Sequence, residues 1–497
     1  MADDNYLTSP PKISTMPPGV PYIVGNEAAE RFSYYGMNSI LTIFMTKYLL
    51  DKMGHLSVMQ PANAEAWYHT FVSTLYFLPI FGAILADAVF GKFKVVFWIS
   101  IVYCLGHLTL ALMGSAVAHV IEPRYLLAVG LVLIAIGAGG IKPCVSTNVG
   151  DQFGESNKHL LTRVFNWFYF SINAGSAFST LLIPWLLEPG SIWDWLRNLL
   201  PASVADFLVS PRLHSPDVAF GLPGIFMAIA TVVFWMGRKK FVHIPPVGLR
   251  TYGREIFNKE TGKIILNVLM PVPFIAIFWA LWQQNFSSWI VQAESMDRHL
   301  FGIEWLSSQI QTVNPIFILI MLPLFSYWLY PFIEKFVRLT PLRKIGAGLF
   351  VTAASFFLVA MIQTRIDAGA RPGIIWQIWA FVILTAGETL VSPTHLEFSY
   401  TQGPVKLKSL IMCTYLLAVS LGNVFTAAVN FIIQNPDGSV KLQGTSYFMF
   451  FVWVMLGTAV LFAIISPFYK GRTYLQDQAR VSGEAEPAIG FAVQPEA

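Results

Sequence analysis

The chain has 497 residues, of which 55% are hydrophobic and 12% charged, with a formal net charge of +4. A mean hydropathy of +0.58, with a charged fraction about half the roughly 25% of an average soluble domain, excludes an ordinary soluble globular protein. The positive excess lies in helix connections rather than in a basic patch with interleaved aromatics, which excludes a nucleic-acid surface.

The N-terminal eighteen residues are polar and Pro-rich and include Asp3 and Asp4, so they lack the apolar core of a cleavable signal peptide. Apolar runs of about 20 residues then predict about twelve membrane spans. They cover residues 19–50, 66–90, 94–117, 125–148, 161–187 and 217–237, then 264–292, 309–333, 343–364, 373–399, 406–433 and 446–468. The connection 238–263 opens with Arg238, Lys239 and Lys240 and divides the spans six and six. The expected organisation is an all-α membrane protein: an N-terminal six-helix bundle with its tail (1–237), a cytoplasmic linker (238–263), a C-terminal six-helix bundle (264–470) and a tail (471–497). Lys and Arg concentrate on the side of the linker and of Lys92, Arg343, Lys408 and Arg472, which places both termini in the cytoplasm by the positive-inside rule.

Within the first span, Glu27, Glu30, Arg31, Tyr34 and Asn38 recur at helical spacing, so one stripe of the helix is polar. Each ionisable residue near the centre of a span costs roughly 2.5 to 3.5 kcal/mol on insertion scales, which points to a functional site before a structural ion-pair network. Glu27 and Arg31 form an i,i+4 pair in the favourable order, which offsets part of that cost. The second span ends in Gly82-Ala83-Ile84-Leu85-Ala86-Asp87-Ala88-Val89-Phe90-Gly91-Lys92, a turn of small residues with Asp87 at the helix end. This connection resembles the signature loop of the major facilitator superfamily. Lys142 follows Gly139 and Gly140 and precedes Pro143, a pattern that permits close helix approach and a local break. Between the fifth and sixth spans, Trp193, Trp195, Leu196, Leu199 and Leu200 fit either a short interfacial helix or a loop with interfacial tryptophans.

Glu388 follows Gly387 in the tenth span. Lys142 on one bundle and Glu388 on the other would give a cavity a positive and a negative pole, which a zwitterion could bridge. Cys104, Cys144 and Cys413 fall within spans without metal-ligand spacing, so they read as inert thiols, with no metal site and no cofactor.

The chain resembles the proton-dependent oligopeptide transporters of the major facilitator superfamily across essentially all its spans. The matching pieces are Glu27 through Gly36, read as ExxERFSYYG, Tyr68-His69-Thr70-Phe71-Val72, Gly139 through Ser146, Gly150-Asp151-Gln152-Phe153, Ile172-Asn173-Ala174-Gly175-Ser176, Gln311-Thr312-Val313-Asn314 and Leu396 through Gln402. The resemblance implies a symporter of di- and tripeptides in the cytoplasmic (inner) membrane, with protons as coupling ion, working by alternating access. It also implies that Arg31 and Lys142 meet the peptide carboxylate, and that Glu388, Asn173 and Asn314 hold its amino terminus. Tyr34, Tyr35, Tyr76, Trp279 and Ser392 would line the remaining substrate space. A guanidinium fork suits a carboxylate, and a carboxylate with amide acceptors suits an ammonium. Glu27, Glu30 and His69 are the proton-coupling candidates. Burial favours a neutral carboxyl while Arg31 favours its ionised form, and imidazole titrates near neutrality.

The chain departs from the family's pattern at three places. Asn38 stands where many members have a second basic residue, Gln283 where many have an acid in the seventh span, and Tyr415 where a Trp is common. Losing a buried cation and its anion together keeps the balance that losing one would break, so Asn38 and Gln283 are expected to form a neutral gate contact. The nearest rival function is a same-fold carrier of another anion or metabolite such as nitrate. A membrane-embedded enzyme has no catalytic constellation to support it, and a channel would need a continuous pore.

Overall fold

The computed structural model of the chain describes residues 6–188, 213–401, 408–435 and 439–469, with residues 190, 200, 201, 203, 204, 206, 210 and 437 between them. The helices are α1 (Val20–Ile43), α2 (Pro61–Phe90), α3 (Lys92–Ala111), α4 (Pro123–Asp151), α5 (Leu161–Leu187) and α6 (Pro216–Met236). The second set is α7 (Ile265–Glu294), α8 (Ser307–Glu334), α9 (Pro341–Asp367), α10 (Ile375–Thr401), α11 (Lys408–Ile432) and α12 (Thr445–Ile465). Eleven helices among the described residues are long and apolar enough to cross a membrane. The exception is α1, whose Glu27, Glu30 and Arg31 belong to the polar stripe.

Local chemistry sets where these helices begin and turn. Proline opens α2, α4, α6 and α9, where its missing N–H costs nothing and its fixed φ suits the first turn. Thr340 caps α9 by accepting from the Arg343 backbone N–H. The turn from α2 to α3 is made at Gly91, whose φ of 81° lies in the region that favours glycine. Asp367 at the end of α9 accepts from the first N–H of α12, at Thr445, 2.8 Å away. Leucines, valines and tryptophans such as Trp98, Leu105 and Leu108 on α3 and Trp453, Leu461 and Ile464 on α12 are exposed, as a lipid-facing surface requires.

Packing repeats with a six-helix offset. Within the first bundle α1 packs on α5 and α6, α3 on α4 and α6, and α2 on α4; within the second α7 packs on α11 and α12, α9 on α10 and α12, and α8 on α10. The principal contacts between bundles, α2 on α11 and α5 on α8, are exchanged by the same offset. This is an internal repeat of two parallel halves.

The face that carries Tyr6, Tyr469 and the linker is the terminal face, and the opposite one the distal face. The linker holds a helix at Leu249–Ile256, and a second at Lys259–Leu269 begins in it and runs into α7. N-terminal residues lie along it, with Leu7 bridging Val242 and accepting from the His243 N–H at 2.7 Å. On the distal face a two-stranded hairpin, His299–Leu300 with Ile303–Glu304, joins α7 to α8. Trp193, Trp195, Leu196 and Leu199 lie outside the described residues, as do Gln402 and the tail 471–497.

The anticipated break at Pro143 does not occur: α4 is helical from Pro123 to Asp151. Its small residues do bring helices together. A Cβ on Gly82 of α2 would lie 2.4 Å from the Gly140 carbonyl oxygen of α4, so these backbones approach as only glycine allows.

Candidate functional site

Hydrogen bonds between the bundles cluster on the distal side. Thr42 donates to the Phe286 carbonyl at 2.8 Å, Gln309 to the Leu181 carbonyl at 2.9 Å, and the Thr180 and Thr312 hydroxyls meet at 2.9 Å. Beneath this closure lies a cavity of about 160 Å³ lined from both bundles. Tyr35, Tyr169, Asn173 and Ser176 face it from the first, and Trp282, Asn314, Glu388, Ser392 and Tyr415 from the second.

The negative pole is built by three helices. Glu388 of α10 accepts from Asn314 Nδ2 of α8 at 2.7 Å and from Trp282 Nε1 of α7 at 2.8 Å, both on the same oxygen. Asn314 also donates to Thr385 Oγ1, one turn earlier on α10, which fixes its amide. Across the cavity, Asn173 donates to the Tyr169 carbonyl one turn back, so its amide N–H is engaged in its own helix. The Ser392 and Tyr415 hydroxyls meet at 2.8 Å.

The first bundle supplies a compact charge cluster. Arg31 Nε donates to Glu27 Oε1 at 2.6 Å and lies 3.3 Å from Glu30 Oε2; Lys142 Nζ of α4 lies 4.0 Å from Glu30 Oε1. Two cations face two carboxylates, which removes net charge from the interior. The Lys142 ammonium stands 4.5 Å from the centroid of the Tyr34 ring and 5.7 Å from that of Tyr76. It is buried yet has no hydrogen-bond acceptor, and neither oxygen of Glu30 has a hydrogen-bond donor. Lys142 therefore has unused capacity for a further anion, with a ring face on one side of it, and Glu30 for a further donor.

His69 belongs to the distal closure. Its Nδ1 is 2.7 Å from Asn423 Oδ1 of α11, and its Nε2 is 3.0 Å from the Ser287 hydroxyl of α7. Asn423 Nδ2 is committed to the Val419 carbonyl, so its oxygen faces the ring and the neutral imidazole carries its hydrogen on Nδ1. The Ser287 hydroxyl can donate to Nε2 or accept from it, so the same contacts serve both charge states of the ring.

The POT family model matches residues 93–251 and 250–448. The chain belongs to the POT family. It is 33% identical over 393 residues to Peptide transporter 3 of Caenorhabditis elegans, covering 72% of this chain and 52% of that protein. It is 34% identical over 409 residues to Solute carrier family 15 member 2 of Rattus norvegicus, covering 73% and 51%. The chain thus spans about half the length of the curated relatives it matches. Solved structures correspond nearly end to end. The POT family transporter PepTSo aligns with a TM-score of 0.77 and 32% identity over 92% of this chain and 99% of that one. An auto-inhibited POT family peptide transporter gives 0.77 and 29% over 93% and 99%.

Several expected site residues of this POT chain stand elsewhere than on the cavity wall. Trp279 is not among the residues lining the cavity; its ring packs 5.2 Å from Trp282 and 5.8 Å from Tyr415, and Trp282 takes the inward place. Tyr34, Tyr76, Arg31 and Lys142 form the charge cluster behind Tyr35 rather than the wall itself. Asn38 and Gln283 do not touch directly. Asn38 Nδ2 donates to the Tyr68 hydroxyl at 3.1 Å, which donates to Gln283 Oε1 at 3.3 Å. Sequence reading missed Trp282 and the bridging role of Tyr68. Periodicity places Trp279 and Trp282 on adjacent faces without saying which one looks inward.

Proposed function

We propose that this POT family chain is a proton-coupled symporter of di- and tripeptides that works by alternating access. One observation carries the reading: a buried ammonium without an acceptor, Lys142, beside Arg31 on one bundle, and a carboxylate with two donors, Glu388, on the other. A peptide carboxylate would complete the first pole, and a peptide ammonium would complete the second through the Glu388 oxygen that Asn314 and Trp282 leave free. A zwitterion spanning the two draws the bundles together, which is the physical content of substrate-driven closure.

The names of the relatives, peptide transporters among them, support the same substrate class. Coupling is assigned to Glu27, Glu30 and His69. When a peptide carboxylate competes for Arg31, the glutamate it releases loses its cation and favours a proton. The terminal face is assigned to the cytoplasm of a cell with an inner membrane, from the excess of Lys and Arg on that side. The distal closure then excludes the outward-facing limb of the cycle.

Uptake of dialanine into proteoliposomes tests the proposal. Wild-type protein is expected to accumulate the peptide only when an inward proton gradient is imposed, and Glu388→Gln to abolish that accumulation. Absence of gradient-driven uptake by the wild type overturns the reading.

A further inference from the structure

Polar residues of α2 form a ladder against the second bundle. Ser73 meets Ser420, His69 meets Asn423, and Glu65, one turn beyond His69, reaches Tyr447 of α12. The peptide site and the coupling cluster account for none of the last rung.

Glu65 is 5% exposed. Its Oε2 accepts from the Tyr447 hydroxyl at 3.0 Å, and that hydroxyl accepts from Asn430 Nδ2 of α11 at 3.1 Å. Asn430 also stands against the carboxyl, so the groups acting on Glu65 are a phenol and an amide, both neutral. The neighbouring charges are committed elsewhere. In the turn Phe44–Tyr48 that continues α1, Lys47 is held by Glu294 and Glu188; on the distal end of α7, Glu294 is held by Lys47 and Arg298. On α4, Arg124 donates to Ser57. On α2 itself, His69 is occupied by Asn423 and Ser287, and the groups described on α11 along this seam are uncharged. Asp367 of α9 is engaged with the start of α12 at Thr445.

An ionised carboxylate enclosed without a cation is strongly disfavoured. The carboxylic acid fits better for a second reason. Asn430 Oδ1 is buried in the same cluster without a donor, since its Nδ2 is shared between the Thr426 carbonyl and Tyr447. A proton on Glu65 adds a further O–H donor to a cluster that holds one unpaired acceptor. Parting of α2 from α11 and α12 would return the group to distal water, where a carboxyl is ionised at neutral pH.

We propose that Glu65 is a proton-binding residue of the distal gate, which takes one proton from distal water when α2 closes onto α11 and α12 and returns to the carboxylate when that seam opens. Only the link to transport rests on the symport reading.

The test combines infrared spectroscopy of the full-length protein in lipid with dialanine uptake at varied external pH. The wild-type spectrum is expected to hold a protonated-carboxyl band that Glu65→Gln removes. In the same variant the alkaline limb of uptake is expected to lose one proton's dependence, a slope shallower by about tenfold per pH unit. Absence of a Glu65-dependent band overturns the proposal, and so does a band accompanied by an unchanged slope. If the glutamine variant does not assemble, Tyr447→Phe keeps the carboxyl and removes its donor. The band should then rise to the frequency of a carbonyl that has lost a hydrogen bond, and an unmoved band overturns the assignment. The band is read without transport, so failure of peptide uptake leaves this measurement intact.

Discussion

Lys47 at the distal end of α1 donates to Glu294 at the distal end of α7, joining the first helices of the two bundles by an ion pair at the rim. Arg298 holds the other Glu294 oxygen at 2.7 Å, and Glu304 in the hairpin at 3.2 Å. The chain has amides, Asn38 and Gln283, where many family members carry a charged pair deeper between the same two helices. A charged contact thus joins α1 to α7 after all, at the rim, where water relieves the desolvation cost that a buried pair carries.

The rim pair should contribute little to stability, because the Lys47 and Glu294 side chains are 39% and 20% exposed. A double-mutant cycle of Lys47→Met and Glu294→Gln, read by thermal unfolding in detergent, is expected to give a coupling energy of about 0.2–1 kcal/mol, falling with salt. A value several times larger, insensitive to salt, would contradict the exposure argument.

Tyr68 bridges the two gate amides, so its hydroxyl matters more than either amide alone. Tyr68→Phe should destabilise the distal-closed form by about 1–3 kcal/mol, because the buried Asn38 and Gln283 amides lose their common partner. Labelling of a cysteine introduced on the distal side would report the change. For the charged alternative, Asn38→Arg and Gln283→Glu are each expected to impair uptake, and the double variant to recover part of it. Additive losses with no recovery would count against proximity of the two positions.

Trp282 holds the Glu388 carboxylate through its indole N–H. Trp282→Phe keeps most of the ring volume and removes the donor, so the apparent KM for dialanine is expected to rise by about tenfold, near the worth of a hydrogen bond to a charged group. The same substitution at Trp279, whose indole nitrogen has no partner, should change the KM by less. Equal effects would show that ring packing governs both positions.

Glu30 stands between Arg31 and Lys142. If its work is proton coupling, Glu30→Gln should lose gradient-driven accumulation yet retain dialanine counterflow, in which no net proton movement is needed. Loss of both activities would assign Glu30 to binding or to the integrity of the cluster.

Most of the fold is legible in the chain itself. Twenty-residue apolar runs and a basic linker announce two sets of six spans, because a bilayer leaves the backbone few alternatives to helices. The polar stripe of α1 points to a candidate site by its cost alone, and the positions of Lys142 and Glu388 suggest the two poles proposed for it. Family motifs add the roles proposed for Arg31, Asn173 and Asn314.

Tertiary structure decided which residues meet. Periodicity fixes the face of a helix but not the helix opposite, so it could not show that Tyr68 stands between Asn38 and Gln283, or that Trp282 and not Trp279 reaches Glu388. It could not show that Lys47 finds Glu294, more than two hundred residues away along the chain. Nor could it show that Glu65, one residue before the expected second span, closes into a seam with no cation against it among the described residues. Sequence records the cost of placing a polar group in a membrane, while the partner that offsets the cost is chosen by packing between helices.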